Sequence, residues 1–333
     1  MATPVAYPSA KQFIGVSNEV TEGTVVTPLE ATVVVNGFEP EDVFAQIIDE
    51  ANRGDMAGEH GVTQGSGHVE WSIPESPAFY DTLPYFLLNL LGAIATTGAG
   101  PFTHVITLLN SGTGQPGFLD IFDWQGTPAN SGRQYPAIAV SEITIKGSPE
   151  AEFITWSAKG VGWLSTDTAA APTAAPSTDA PMPAWRAVIS LAGTQNKHIG
   201  EWSVTITREV SVEHTSQNTQ QPYHIMRGDL KVSGSLSVIK PADETELNYY
   251  LNNTQPELNI TADNGGATTE QRAITLHMQL AAFTKSPIQR SEEAVGYNVD
   301  FKAVANATDA GASGGTSPIK ITVINNTASG VYG

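Results

Sequence analysis

Four side chains in the first third of the chain, Glu59, His60, His68 and Glu70, are of the types that hold a divalent metal, and Asp120 and Asp123 in FLDIFDW are of the types that share acid and base work in glycoside hydrolysis. Neither set has the spacing its chemistry needs. His68 and Glu70 fall in GHVEWSI, where alternate residues form the polar side of an ordinary strand, and two nearby acids say little about their separation in space. Of the six tryptophans, Trp71, Trp124, Trp156 and Trp202 lie in strand patterns, where an indole is more often core or interface than a sugar platform. The chain has no GxxxxGK or HExxH motif, no GxSxG elbow between a strand and a helix, and no EF-hand spacing. It has no cysteine, which excludes thiol nucleophiles, disulfides and Cys-ligated zinc. The sequence assigns no catalytic residue, no metal and no cofactor, and the chain reads as a non-enzyme.

Charge narrows the partners. Against 34 acidic residues stand 16 basic ones, a net of −18, and residues 1–165 hold 18 of the acids with only 5 bases. Binding to a nucleic-acid backbone is driven by Lys and Arg displacing counterions, so this balance argues against it. The opening MATPVAYPSAKQF lacks the basic start and apolar run of an export signal. The longest apolar segment, FLLNLLGAIA at 86–95, is too short for a membrane span, which needs about 20 residues.

The elements that must position any site are mostly strands, as the many Gly, Pro, Thr, Ser and Val suggest. Period-2 alternation marks Trp202–Thr207, Leu230–Val238, Ile274–Leu280 and Tyr297–Ala303 as strands buried on one face, expected to form one antiparallel sheet with a wet face. The first half repeats the order with GHVEWSI, a helix over 77–92 ending at Gly92, and strands at FTHVITLL, GFLDIFDWQ, AVSEITIKG and EFITWSAKGVGWL. A second helix is predicted over 242–253.

Between the halves, residues 166–184 read TDTAAAPTAAPSTDAPMPA, with Met182 the one large apolar side chain, and predict an extended tether. Four segments result: a first module 1–165, a linker 166–184, a second module 185–305, and a flexible C-terminal arm 306–333 ending in the short strand IKITVINN. A long acidic loop is predicted over 37–66, with a polar counterpart at 208–227.

FIGVSNEVTEGTVVTP at 13–28, the element order that follows, and PAWRAVISLAG opening the second half together resemble the major tail tube proteins of long-tailed, non-contractile (siphovirus-type) bacteriophages, in the branch whose tube domain is duplicated. The resemblance implies a mainly β fold of two tandem β-sandwich or half-barrel modules, each with a flanking helix. It implies a structural virion subunit, assembled in the host cytoplasm, that forms trimeric, pseudo-sixfold rings. Those rings stack into a hollow tail tube conducting DNA from capsid to host. The implied partners are further copies of the chain, a tape-measure protein and a tail-terminator protein. DNA would pass without specific binding, and no membrane insertion is implied. On that reading His68, Glu70, Ser72, Glu142, Thr144, Ser233, Ser235, Ser237 and Asp300 are candidates to face the lumen. Glu39, Glu41, Asp42, Asp49, Glu50, Arg53, Arg227, Ile319, Ile321 and Val323 are candidates to join stacked rings. A surface adhesin, a carbohydrate-binding pair of sandwiches and a capsid decoration protein are the alternatives.

Overall fold

The computed structural model describes residues 12–54, 56–125, 132–168, 173–240, 244–290 and 295–332. The first half holds β1 (Phe13–Asn18), β2 (Ala31–Val33), β3 (Glu39–Asp49), β4 (Gly61–Pro77), α1 (Leu83–Leu91), β5 (Gly92–Thr97), β6 (Phe102–Leu108), β7 (Leu119–Trp124), β8 (Gly132–Gly147), β9 (Thr155–Gly162) and β10 (Thr166–Thr168). The second half holds β11 (Val188–Leu191), β12 (Thr194–Gln195), β13 (Ile199–Glu213), β14 (His224–Ile239), α2 (Thr245–Leu251), β15 (Leu258–Asp263), β16 (Ala273–Met278), β17 (Ala281–Lys285), β18 (Ile288–Arg290), β19 (Val295–Ala303) and β20 (Lys320–Asn325). The chain is mainly β, as its composition predicts.

These strands form two sheets. In the larger, one antiparallel run reads β3-β4-β9-β8-β13-β14-β19, with β17 and β18 both along the far side of β19. The N-terminal end of β8 leaves this run to pair with β7, followed by β1 and β2. The smaller sheet reads β12-β11-β15-β16-β20-β6-β5. Helix α1 packs on β8 from the larger sheet and on β5 and β6 from the smaller. Eight of its nine residues are buried, as expected of a helix apolar on every side, and Gly92 ends it in the left-handed conformation at φ 98°. Its one buried amide, Asn89, donates to the carbonyls of Gly117 (2.8 Å) and Ile138 (3.0 Å) and accepts from the Val140 N–H (2.8 Å), satisfying β8 where that strand bends.

Aromatic rings fill the larger sheet's inner face by lying over cross-strand glycines. Trp71 opposes Gly160, and Phe301 opposes Gly234. A Cβ at Gly160 would sit 2.9 Å from the Trp71 ring, and one at Gly234 would sit 2.5 Å from Phe301. The same packing recurs in both halves.

Several expectations change. The halves do not keep separate cores: one apolar cluster runs from Ile14 to Tyr332, and both sheets contain strands of each half. The described parts of the segment 166–184 are held down. Its β10 pairs with β8, Met182 is 1% exposed and exchanges backbone hydrogen bonds with Ala78 and Ile154, and Asp179 accepts from Arg272 at 2.8 Å. Residues 169–172 of that segment, and 242–243 of the second predicted helix, lie outside the described residues. The C-terminal strand is no free arm, because β20 sits between β16 and β6 and so joins the two halves within the smaller sheet. The predicted strand at 274–280 belongs to that sheet as β16, not with β13, β14 and β19. The predicted acidic loop 37–66 is mostly a long hairpin, β3 and β4, closed by residues 50–60, and 208–227 is likewise the end of the β13–β14 hairpin.

Candidate functional site

Along a strand whose odd residues are buried, the even ones must face the other way. In β4 the buried set is Val69, Trp71 and Ile73, in β8 Ile143 and Ile145, in β14 Val232, Leu236 and Val238, and in β19 Val299 and Phe301. The nine residues proposed from sequence for a polar face, His68, Glu70, Ser72, Glu142, Thr144, Ser233, Ser235, Ser237 and Asp300, therefore share one face of one sheet. The register continues that face without a break: Ser72 opposes Lys159 and Lys159 opposes Glu142, while Thr144 opposes Thr205, Thr205 opposes Ser233 and Ser233 opposes Lys302. Hydroxyls pair across it, Thr144 with Thr205 at 2.9 Å and Ser203 with Ser235 at 2.9 Å. A cleft of about 370 Å³ opens on this face beside Lys146, Thr155, Ser203, Ser235 and Asn298.

This face is not made of hydroxyls and carboxylates alone. Lys146, Lys159, Lys231 and Lys302 share the register of the polar residues. Lys159 is paired with Glu142 at 3.0 Å and Lys146 with Glu75. The face is close to balanced in charge, so most of the chain's acidic surplus lies elsewhere.

The two halves meet in this sheet at one seam, where Glu142–Gly147 of β8 lies against Trp202–Thr207 of β13. Ile143 with Ile206 and Ile145 with Val204 seal its inner side. At the two ends of the run, β3 pairs only with β4, and β17 and β18 pair only with β19, among the described residues. Such unpaired edges are templates for another chain.

The ends of the two long hairpins expose large apolar side chains. Ile47 is 59% exposed and Val62 62% on the first, and Tyr223 is 59% exposed on the second. The second hairpin's loop rests on the first, with Gly67 N–H donating to the Gln220 carbonyl at 3.0 Å and Gln220 Nε2 donating to the Gly65 carbonyl at 2.9 Å.

Glu39, Glu41 and Asp49, with Glu50 just beyond, lie on or next to β3, and Arg53 pairs with Asp49. Asp42 is held within the chain, accepting from the Ser165 hydroxyl (2.6 Å) and N–H (2.9 Å). Four of the proposed ring contacts prove internal. Ile319, Ile321 and Val323 are fully buried. Arg227 is 4% exposed, its guanidinium 4.3 Å from the Phe118 ring centroid and donating to the carbonyls of Pro116 (2.8 Å) and Gly117 (3.1 Å).

Sequence reasoning missed a buried ionic cluster around the segment 19–30. Glu19 accepts from the N–H of Ala137 (2.6 Å) and Gly23 (2.9 Å), and burial pushes its carboxyl up to about 8. Glu22 reaches into the second half, where it pairs with His224 and accepts from the Ile225 N–H at 3.0 Å. Asp120 accepts from the Val26 N–H (2.6 Å) and from Gln134 (3.0 Å), and its burial raises the carboxyl to about 7. Burial also draws Arg227 down to about 9. The phrase at 13–28 carried Glu19 and Glu22, but nothing local in the sequence marks their partners.

The chemistry considered at the outset finds no site here. No group of three or more His, Asp or Glu side chains suited to a metal occurs among the described residues. Asp120 is 1% exposed and cannot meet a sugar, and Trp71, Trp156 and Trp202 are core residues. His277 bridges Asp309 (2.6 Å) and Glu257 (3.2 Å), its bond to Asp309 raises it above the usual imidazole range, and Lys320 Nζ completes this charge cluster 3.7 Å from Asp309. No described helix is long and apolar enough to cross a membrane. No curated protein matches the chain. A family model described as phage tail tube protein matches residues 9–320, nearly the whole length. This protein therefore belongs to the phage tail tube family, as a structural, non-enzymatic component of the virion tail.

Proposed function

We propose that this chain is the repeating wall subunit of a siphovirus-type tail tube, and that copies join edge to edge into trimeric, pseudo-sixfold rings with the polar face inward. The observation that carries this reading is the continuous polar face on a sheet open at both ends. Each half contributes four strands to that sheet in a corresponding order, β3-β4-β9-β8 and β13-β14-β19-β17. Each half also passes from its hairpin through a helix to two strands of the smaller sheet, β5 and β6 or β15 and β16. That correspondence supports a duplicated module. The β8·β13 seam is then the pattern for a seam between molecules, in which β17 and β18 of one copy meet β3 of the next, and closure removes both edges.

A face of hydroxyls and nearly balanced charges suits a conduit. DNA carries a charge about every 1.7 Å of its axis, and a wall of uncompensated cations would hold it at each step. The hairpin ends, with Asp49, Glu50 and Arg53 close by and Ile47, Val62 and Tyr223 exposed, are the contacts we assign to neighbouring rings, whereas Glu39 and Glu41 lie at the opposite end of β3. Assembly takes place in the host cytoplasm, and tape-measure and tail-terminator proteins are the tail partners. Negative-stain microscopy of the purified protein tests the assembly. Rings or tubes with a central hole are the expected result, and isolated particles at every concentration would refute it.

A further inference from the structure

The charge on the polar face is not evenly spread, and the unevenness runs from one edge of the sheet to the other. At the β3 end the side chains sharing the face are Glu39 and Glu41 on β3 and Glu70 beside them on β4, with His68 3.6 Å from Glu70. At the other end they are Lys302 on β19 and Lys285 on β17, with Asp300 opposite Lys285 the one carboxylate of these two strands among the described residues; farther in, Lys231 on β14 stands two residues from Asp229. Arg290 on β18 adds a further cation along the same border. The internal seam has no such contrast, since its polar pairs are Glu142 with Thr207, Thr144 with Thr205, and Lys146 with Ser203. From this we infer that the seam between molecules, unlike the seam within one, is selected by charge: the acidic β3 border of one copy takes the basic β17–β19 border of a second copy.

The inference rests on the edge-to-edge reading above and adds a direction to it. Opposite charges steer the two unlike borders together, while like borders, β3 on β3 or β17 on β17, repel. A head-to-tail contact of that kind is heterologous and closes into a ring when its rotation allows. The same bias protects the open edges before assembly, because two copies meeting in the wrong sense bring like charges face to face.

The test uses the full chain in sedimentation at about 50 mM and about 300 mM salt, which roughly halves the screening length and more. Wild-type association should weaken at the higher salt. Glu39→Lys with Glu41→Lys makes both borders basic, and Lys285→Glu with Lys302→Glu makes both acidic. Each double variant alone should associate about tenfold more weakly than wild type, and an equimolar mixture of the two should regain association into mixed pairs, because each then offers the other a complementary border, while a closed ring of three keeps one seam between like variants. Wild-type rings that form equally at both salts, or double variants that associate as well alone as mixed, overturn the charged seam and leave the ring reading standing. A wild-type chain that never associates overturns the ring reading and the seam together.

Discussion

Asp120 and Glu19 are acids placed where an ionised carboxylate is costly, and each holds part of the segment 19–30 against the body of the protein. A carboxyl whose folded-state value is raised takes up its proton more readily folded than unfolded. Its contribution to stability is therefore complete below the ordinary value and is lost as pH rises through the folded value. For Asp120 that window runs from 3.8 to about 7, and for Glu19 from 4.5 to about 8. Thermal unfolding should accordingly move to lower temperature between pH 5 and pH 8. Asp120→Asn keeps an acceptor for Val26 and Gln134 without the charge, so it should raise the midpoint at pH 8 by a few degrees, change it little at pH 5, and flatten the profile. A variant whose profile keeps the wild-type slope would contradict this role. Arg227 is the matching case among cations. Arg227→Ala strips the Pro116 and Gly117 carbonyls of their donors and uncovers Phe118, at a cost of about 3 kcal/mol in denaturant unfolding. The nine polar-face residues were legible because alternation is a local property of one strand. Asp120 and Arg227 were not, because Val26 lies 94 residues from the first and Pro116 lies 111 from the second.

At the scale of elements, strand identity was legible and strand address was not. IKITVINN reads as a strand at the end of a flexible run, yet β20 is central in the smaller sheet, with Ile319, Ile321 and Val323 fully buried. The signal that a strand exists lies in its own residues, and the choice of neighbours depends on edges formed hundreds of residues away. In the opposite direction, EPEDVFAQIID carries too many acids to read as a strand, and pairing with β4 overrides that local preference. Ile321→Ala should destabilise the fold by about 2–5 kcal/mol, measured by denaturant unfolding, because the cavity would open in a packed layer. Removing residues 306–333 leaves β16 and β6 without their shared neighbour, and should yield aggregated or unfolded chain rather than a soluble subunit that merely fails to stack. Recovery of a well-folded truncated protein would contradict the central position of β20.

For the molecule as a whole, the tether suggested two bodies, and the structure joins them through one larger sheet, one smaller sheet and one core. Polyproline-like composition announced an extended path but could not reveal that Met182 would be buried along it. The account of function depends on which way the polar face turns once copies assemble. Changing Ser233, Ser235 and Ser237 together to Lys would place three cations per chain on that face without touching either edge. Tubes should still form, and virions carrying the change should release DNA more slowly, with the delay shrinking as salt rises; an unchanged release rate would place those residues outside the channel. The most direct measurement is a reconstruction of the assembled protein by electron cryomicroscopy. The account predicts a hollow ring in which β3 of each copy continues the sheet of the next and Glu142, Thr144, Ser235 and Asp300 line the cavity. An assembly whose cavity is lined by the smaller sheet, or whose copies touch without joining β3 to β17 and β18, would contradict it.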